Sequence, residues 1–498
     1  MLRRHFLSTL PFAMGAVSAA RHGLSQPAQA SKSILEFGAN PDGRTLNTRA
    51  IQRAIDDIFH SGGGTVNVPA GTFLTGRIEL KSRVTLNLQS GSTLLGSTSI
   101  NDYNAEHGSP NSPGNNPRHL IFAQDADDVT LTGPGRIDGQ GPSFWEPSGR
   151  ASLPPEEEWA DVASHSLAPK HSGRPSPMLE FVNCRRLKIN GVHIENAPGW
   201  TLRAVNSDDV EYRNVNIKNP TVGPNTDGMD ICGCQNVLIT DCVIDTGDDA
   251  ICLKSENPFG PEPRLLKNIE VTNCTLTTCC NGFKLGTSSE GGFENIKFSN
   301  SIVRNGPVPF SERVISGIAL EVVDGGWIDG VEVSGIQMER ARTAIFIRLE
   351  NRKRSRDNPQ HGIRNVNIEN VQATEALLAS SITGLRGMNV QDVTLSHIHV
   401  QNVLPVRAES ISRSVPEKES AYPEARMFGM LPATGLYVRH AQDLHLKDLV
   451  FTATAGEARP AVIFDDVDGA EVKGITSAPV KRGTPILEQI GSRNVKIL

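Results

Sequence analysis

The sequence predicts an all-β fold, a solenoid of parallel sheets (a β-helix) with one short helix at its N-terminal end. A nine-residue pattern recurs along the chain: Arg186–Ile194 (RLKINGVHI), Asp209–Ile217 (DVEYRNVNI), Asn236–Ile244 (NVLITDCVI), Asn268–Leu276 (NIEVTNCTL) and Asn295–Val303 (NIKFSNSIV). Further copies start near Gly330, Asn365, Gln391, Asp443 and Ala470. Each copy alternates apolar and polar residues on both sides of a polar corner, as two short strands would. A third alternation follows, such as Gly282–Gly286 or Ala344–Arg348. The period of about 23 to 35 residues, with one longer gap, leaves no room for helices, and units that small bury a core only by stacking. Leucine-rich repeats would show a stricter Leu and Asn pattern, and propeller blades run longer. About ten coils spaced about 4.8 Å apart would give a rod near 50 Å long.

Taken in order, residues 1–30 read as an export signal and not as part of the fold. Arg3 and Arg4 precede an apolar run from Leu7 to Ala20, and Ala28-Gln29-Ala30 offers a small-x-small cleavage site. The paired arginines suggest twin-arginine export, hence a periplasmic or extracellular protein. Residues 31–498 are expected to form a single domain acting as a monomer, and no apolar run in them is long enough to span a bilayer. A net charge of −6 and 5% aromatic residues argue against a nucleic-acid partner.

Asn47–Phe59 supplies a lid for the open end of the rod, which must be covered against edge-to-edge pairing. Asn47 is placed to cap a helix. Ala50, Ile51, Ala54, Ile55 and Ile58 form one apolar stripe at helical spacing, and Ser61-Gly62-Gly63-Gly64 ends it. That glycine run lacks the Lys-Ser/Thr ending of a phosphate loop and reads as a turn. The first coils follow at Gly64–Val68, Val84–Leu88 and Val129–Leu131. Three excursions interrupt the coils: Asp102–Pro117, Gly139–Pro177 and Arg407–Pro432. They carry Trp145, Trp159, Tyr422 and Phe428, which either wall a cleft or pack the loops.

All eight cysteines lie between Cys184 and Cys280. Export permits disulfides, but Cys232, Cys242, Cys252 and Cys274 sit in or beside strand runs, where free Cys serves as a small buried residue. Cys232-Gly-Cys234 and Cys279-Cys280 do not fit zinc-ligand spacing. No metal and no cofactor is expected.

The chemistry concentrates between Asn225 and Ser255. Asp227 ends an Asn-Thr-Asp triplet, and one repeat later Gly247-Asp248-Asp249 delivers two more carboxylates. Each group precedes an apolar alternation, Met229 and Ile231 in the first and Ile251 and Leu253 in the second. Asn, Asp and Gly are also the usual turn residues. Two such groups one repeat apart would nevertheless converge if their strands stack in register. Carboxylates that close cannot all ionise freely, so a protonated acid is expected beside an ionised base, the equipment for glycoside hydrolysis.

Together with Phe37-Gly38-Ala39, Asp42-Gly43, Thr48-x-Ala50-Ile51-Gln52-x-Ala54-Ile55, the glycine turn and Val68-Pro69-Ala70-Gly71-Thr72-Phe73, these acidic motifs resemble glycoside hydrolase family 28, the polygalacturonase family. The resemblance spans nearly all of residues 31–498. It implies a right-handed parallel β-helix and metal-free, inverting hydrolysis of a pectic, galacturonate-containing polysaccharide or oligosaccharide, rhamnogalacturonan among the candidates. By position Asp248 is similar to the general acid, and Asp227 and Asp249 to the pair that holds and deprotonates the attacking water. Two motifs depart from the family: its Gly-His-Gly falls on Cys280-Asn281-Gly282, and its Arg-Ile-Lys on Ala319-Leu320-Glu321, without either cation.

Strand alternation offers replacements for those cations. With Phe283, Leu285, Ile318, Leu320, Ile345 and Ile347 inward, Lys254, Lys284, Glu321 and Arg348 point outward. Lys254, Lys284 and Arg348 are expected to bind a substrate carboxylate, with Asn225 and Asn281 as further substrate ligands. The alternative is an ion-pair ladder with Glu321 between Lys254 and Arg348. His397 and His399 lie two apart, as metal ligands can, but read as solvated, as does the Arg352–Arg356 charge run. Competing functions are a β-helix lyase, which needs Ca²⁺ and an Arg or Lys base, and a non-catalytic glycan-binding protein.

Overall fold

The computed structural model describes residues 30–104, 118–149, 167–305, 314–352, 358–403, 414–480 and 482–498. The expected export signal up to residue 29, Trp159 and most of the Arg352–Arg356 run lie outside them. From Ala30 to Ile497 parallel strands join into one hydrogen-bonded array of 34, wound as a right-handed β-helix. Three sheets run along the rod. One, the site sheet, stacks Leu179–Val182, Leu202–Val205, Met229–Cys232, Ile251–Ser255, Asn281–Ser289, Val314–Val322 and Ala341–Leu349.

Each coil turns at two corners five residues apart, and both corners need a left-handed backbone. Asn236 and Asp241, Asn268 and Asn273, Asn295 and Asn300, Asn365 and Asn370, and Asp443 and Asp448 all have φ between 48° and 58°, and Gly330 and Gly335 take the same places in their coil. Asn, Asp and Gly tolerate this conformation, which explains why most of the repeats begin on them, Arg186 at φ 56° being an exception. Corner side chains also pair between coils: the Asn236 amide donates to Asp209, Asn268 to Asn236, and Asn295 to Asn268, at 2.8–3.0 Å. His397 sits at such a corner, with Nε2 3.4 Å from Asp448.

Inward residues stack in like-on-like columns. In the site sheet Met229, Ile251, Phe283, Ile318 and Ile345 form one column, and Ile231, Leu253, Leu285, Leu320 and Ile347 the next, all fully buried. Phe283 also stacks on Phe298 of the neighbouring sheet, with centroids 4.4 Å apart. The eight cysteines are free thiols, seven of them buried.

The Thr48–His60 helix closes the N-terminal end and buries the five residues of the expected stripe. Asn47 does not cap it through its side chain. Its carboxamide instead bridges the preceding loop and the next strand, accepting from the Asn40 amide and donating to Thr45 and Leu74 carbonyls. Gly63 and Gly64 follow because a Cβ would strike Arg83 at 2.6 Å and the Ala30 carbonyl at 2.1 Å. No helix among the described residues is long and apolar enough to cross a membrane.

The corner ladder is testable at Asn268. Replacement by Val puts a β-branched residue at φ 57°, and the urea midpoint should fall by an amount equivalent to about 2–4 kcal/mol. Gly keeps the backbone and loses only the ladder bonds, so its cost should be about 1 kcal/mol.

Candidate active site

Register decides which side chains meet. Met229 pairs with Ile251, and Ile251 with Phe283. Two residues earlier the same offsets align Asp227, Asp249 and Asn281, through backbone bonds from Gly228 to the Asp249 carbonyl and from Ala250 to the Asn281 carbonyl. Trp200 enters this row beside Asp227, because Leu202 pairs with Met229. Asp248 stands next to Asp249, and one of its oxygens accepts the Asp249 amide at 2.8 Å. The structure therefore gathers all three expected acids.

Their protonation differs by environment. Burial would push Asp249 up, but the ammoniums of Lys284 and Lys254 outweigh it. With hydrogen bonds from Cys280 and Asn281 they hold Asp249 down at about 2. Lys284 Nζ lies 3.1 Å from Oδ2, while the Asn281 amide and carboxamide both donate to Oδ1. Asn281, at the position of the family histidine, thus fixes an acid. Asp248 is raised by burial and by the Asp249 charge. Asp227 is raised further, by burial and then by Asp248 and Asp230, and its buried Oδ1 has no hydrogen-bond partner. A raised Asp248 beside a depressed Asp249 is the acid-and-base division the sequence led us to expect, whereas Asp227, expected on the base side, is raised as well.

The cations point away from the coil interior as expected, yet they are buried and engaged. Lys254, 7% exposed, lies 2.7 Å from Asp230 and packs over Trp200. Lys284 lies between Asp249 and Glu321, the latter at 3.9 Å. Arg348 is not brought to the acids. It sits two strands further along the sheet and bonds to Glu350 at 2.6 Å and to the carbonyls of Gly384, Glu417 and Lys418. Nor does Glu321 bridge Lys254 and Arg348: its nearest described cation is Lys284, and burial raises its pKa to about 8 despite that cation. Asn225, exposed at φ 50°, accepts from Arg174 at 3.3 Å.

Two participants escaped sequence reasoning. Asp230 is fully buried and is the counter-ion of Lys254. It lies between the inward Met229 and Ile231, so alternation alone could have placed it on the outer face. Arg174 belongs to a loop without periodicity, and its charge acts on both Asp227 and Asp248.

The aromatic residues of the loops separate as well. Trp145 packs, donating to the Pro198 carbonyl at 2.8 Å, and Phe428 packs against Arg348 and Arg439. Tyr422 alone of the three stays 61% exposed.

Oxygen and sulfur atoms of Asp248, Asp249 and Cys280 lie within 4.8 Å of one another, the one grouping among the described residues compact enough for a metal ion. Its chemistry is unfavourable to one: burial pushes the Cys280 thiol well above its usual range, and the Lys284 ammonium already balances Asp249.

The Lys284–Asp249 pair keeps Asp249 charged far into the acid range. The charge of Asp249, and the stability its depressed pKa contributes, are complete above the unfolded carboxyl value of about 4. They are lost as pH falls through about 2. Lys284→Met should raise the Asp249 carboxyl pKa by about one to two units, read by carboxyl-detected NMR titration, and should lower kcat more than it raises KM.

Residues 61–420 match the sequence model described as glycosyl hydrolases family 28. A probable polygalacturonase from Vitis vinifera is 28% identical over 330 residues, covering 64% of this chain and 62% of that protein, so the chain spans under two thirds of its length. The structure of a hyperthermoactive exopolygalacturonase from Thermotoga maritima superposes with a TM-score of 0.64 at 23% identity, covering 86% of this chain and 92% of that one. That of a family 28 exopolygalacturonase from Yersinia enterocolitica gives 0.59 at 20% identity, covering 95% and 78%. At these identities the superpositions speak for the fold.

Proposed function

The chain belongs to glycosyl hydrolases family 28, and from that premise we propose that it is an exported, inverting hydrolase of pectic, galacturonate-containing chains. The observation that carries this proposal is the row of Asp227 and Asp249 on adjacent coils with Asp248 beside them, the pKa of Asp249 lowered and those of Asp227 and Asp248 raised.

Asp248 donates its proton to the glycosidic oxygen as the bond to the anomeric carbon breaks. Water attacks that carbon from the opposite face and gives its proton to a carboxylate. An inverting acid and base stand about 6.5–9.5 Å apart. Asp227 and Asp249, aligned on adjacent coils, are the pair that holds and deprotonates that water. Lys254 lowers the Asp227 pKa against the burial and the neighbouring carboxylates that raise it.

Cleavage from the chain end fits the burial of the site sheet's outer face. Glu180, Arg203, Asp230, Lys254, Lys284, Glu321 and Arg348 are all at most 7% exposed, whereas an open groove would leave such a row in water. The relatives named exopolygalacturonase are in keeping with this. Action as a monomer, without nucleic acid or cofactor, in the periplasm or outside the cell completes the proposal.

Incubation with homogalacturonan, rhamnogalacturonan and xylogalacturonan tests it. Mono- or disaccharides of inverted anomeric configuration should appear from the first time points, seen by NMR. An unsaturated, ultraviolet-absorbing product would mean a lyase instead. Asp248→Asn should lower kcat by about a thousandfold or more. Because Asp248 is raised, wild-type activity should fall as rising pH strips its proton, above the ordinary carboxyl range.

A further inference from the structure

Beyond the acids, the 414–432 segment is fastened across the outer face of the site sheet. Arg348 bonds to the Glu417 and Lys418 carbonyls, and Arg439 to those of Val415 and Pro416. His440 joins Glu417 at 3.1 Å to Asp466 at 2.7 Å. Phe428 lies against both arginines, and Ala425 and Met427 pack on Ile315, Ala319 and Phe346.

So much anchoring leaves one aromatic side chain of the segment exposed. Tyr422 is 61% exposed, with its ring 5.8 Å from Lys284 Nζ and its hydroxyl accepting from Thr287 at 3.2 Å. That lysine is the one bonded to Asp249, and the charges of Lys284, Asp249 and Glu321 all act on the phenol. An aromatic face held beside catalytic carboxylates and open to solvent is a surface for the apolar face of a sugar ring.

We propose that Tyr422 is the stacking platform of a subsite on the C-terminal side of the acids, taking a pyranose ring, and that Arg348 acts on substrate only through it, by fixing the 414–432 segment. This rests on the glycosidase proposal above. It changes the role expected for Arg348 from carboxylate ligand to positioning residue.

The test combines kinetics on pectic oligosaccharides with binding titrations in an Asp248→Asn background. Tyr422→Ala should raise KM about five- to tenfold with kcat within about twofold, weaken oligosaccharide binding equally, and leave the acid limb of the pH profile in place. Tyr422→Phe should restore the wild-type KM. Arg348→Lys, which keeps the charge but loses the planar fork, should reproduce the KM effect, and the double variant should be no worse than Tyr422→Ala alone.

An unchanged KM and affinity in Tyr422→Ala would overturn the platform, even with the parent enzyme fully active. Additive losses in the double variant would return Arg348 to direct substrate contact. A parent protein that neither cleaves nor binds any pectic oligosaccharide would remove the hydrolase proposal and the subsite with it.

Discussion

A strand that slips by one residue turns every side chain to the opposite face, and the candidate site of this protein exists only because that slip is prevented. The left-handed corners fix where each coil bends, the corner amides hold each coil to the next, and the apolar columns penalise any other alignment. Asp227, Asp249 and Asn281 meet in a row as a consequence. Register brings them together, and the contacts of Asn281 and Lys284 then orient Asp249.

Once assembled, the outer face of the site sheet faces a charge problem. Its carboxylates and cations are buried, and an isolated buried charge is costly. Counter-charges are therefore arranged in short links: Arg203 with Glu180, Lys254 with Asp230, Lys284 with Asp249, Arg348 with Glu350. The acids nearest the expected chemistry are compensated unequally. Asp249 has the Lys284 cation and two hydrogen bonds from Asn281, whereas Asp227 has its buried Oδ1 without a hydrogen-bond partner. That inequality lowers the pKa of one carboxylate and raises those of its two neighbours.

Much of this was legible in the sequence. Coils, corners, the apolar stripe of the lid helix and the pairing of the two acidic motifs follow from local periodicity, and local periodicity is what parallel stacking preserves. The outward direction of Lys254, Lys284 and Arg348 was equally readable. Their partners were not, because Arg348 meets carbonyls some 70 positions away, at Glu417 and Lys418, on a segment whose path no repeat dictates. Arg174 was hidden for the same reason. Asp230 stands between two inward apolar residues, so strand alternation alone puts it on the outer face beside Lys254. Asn47 had the right residue type for a helix cap but gives its side chain to the neighbouring loop, where more buried backbone groups compete for it.

The coils do not share one length: successive corners are 27, 32 and again 27 residues apart through the region of the acids. The extra residues are absorbed outside the five-residue span between corners, which stays constant. Such a chassis lets evolution lengthen or shorten the surrounding walls while the reactive centre keeps its geometry. Selection for a new polymer can then act on the walls alone, and the chemistry travels unchanged from one substrate to the next.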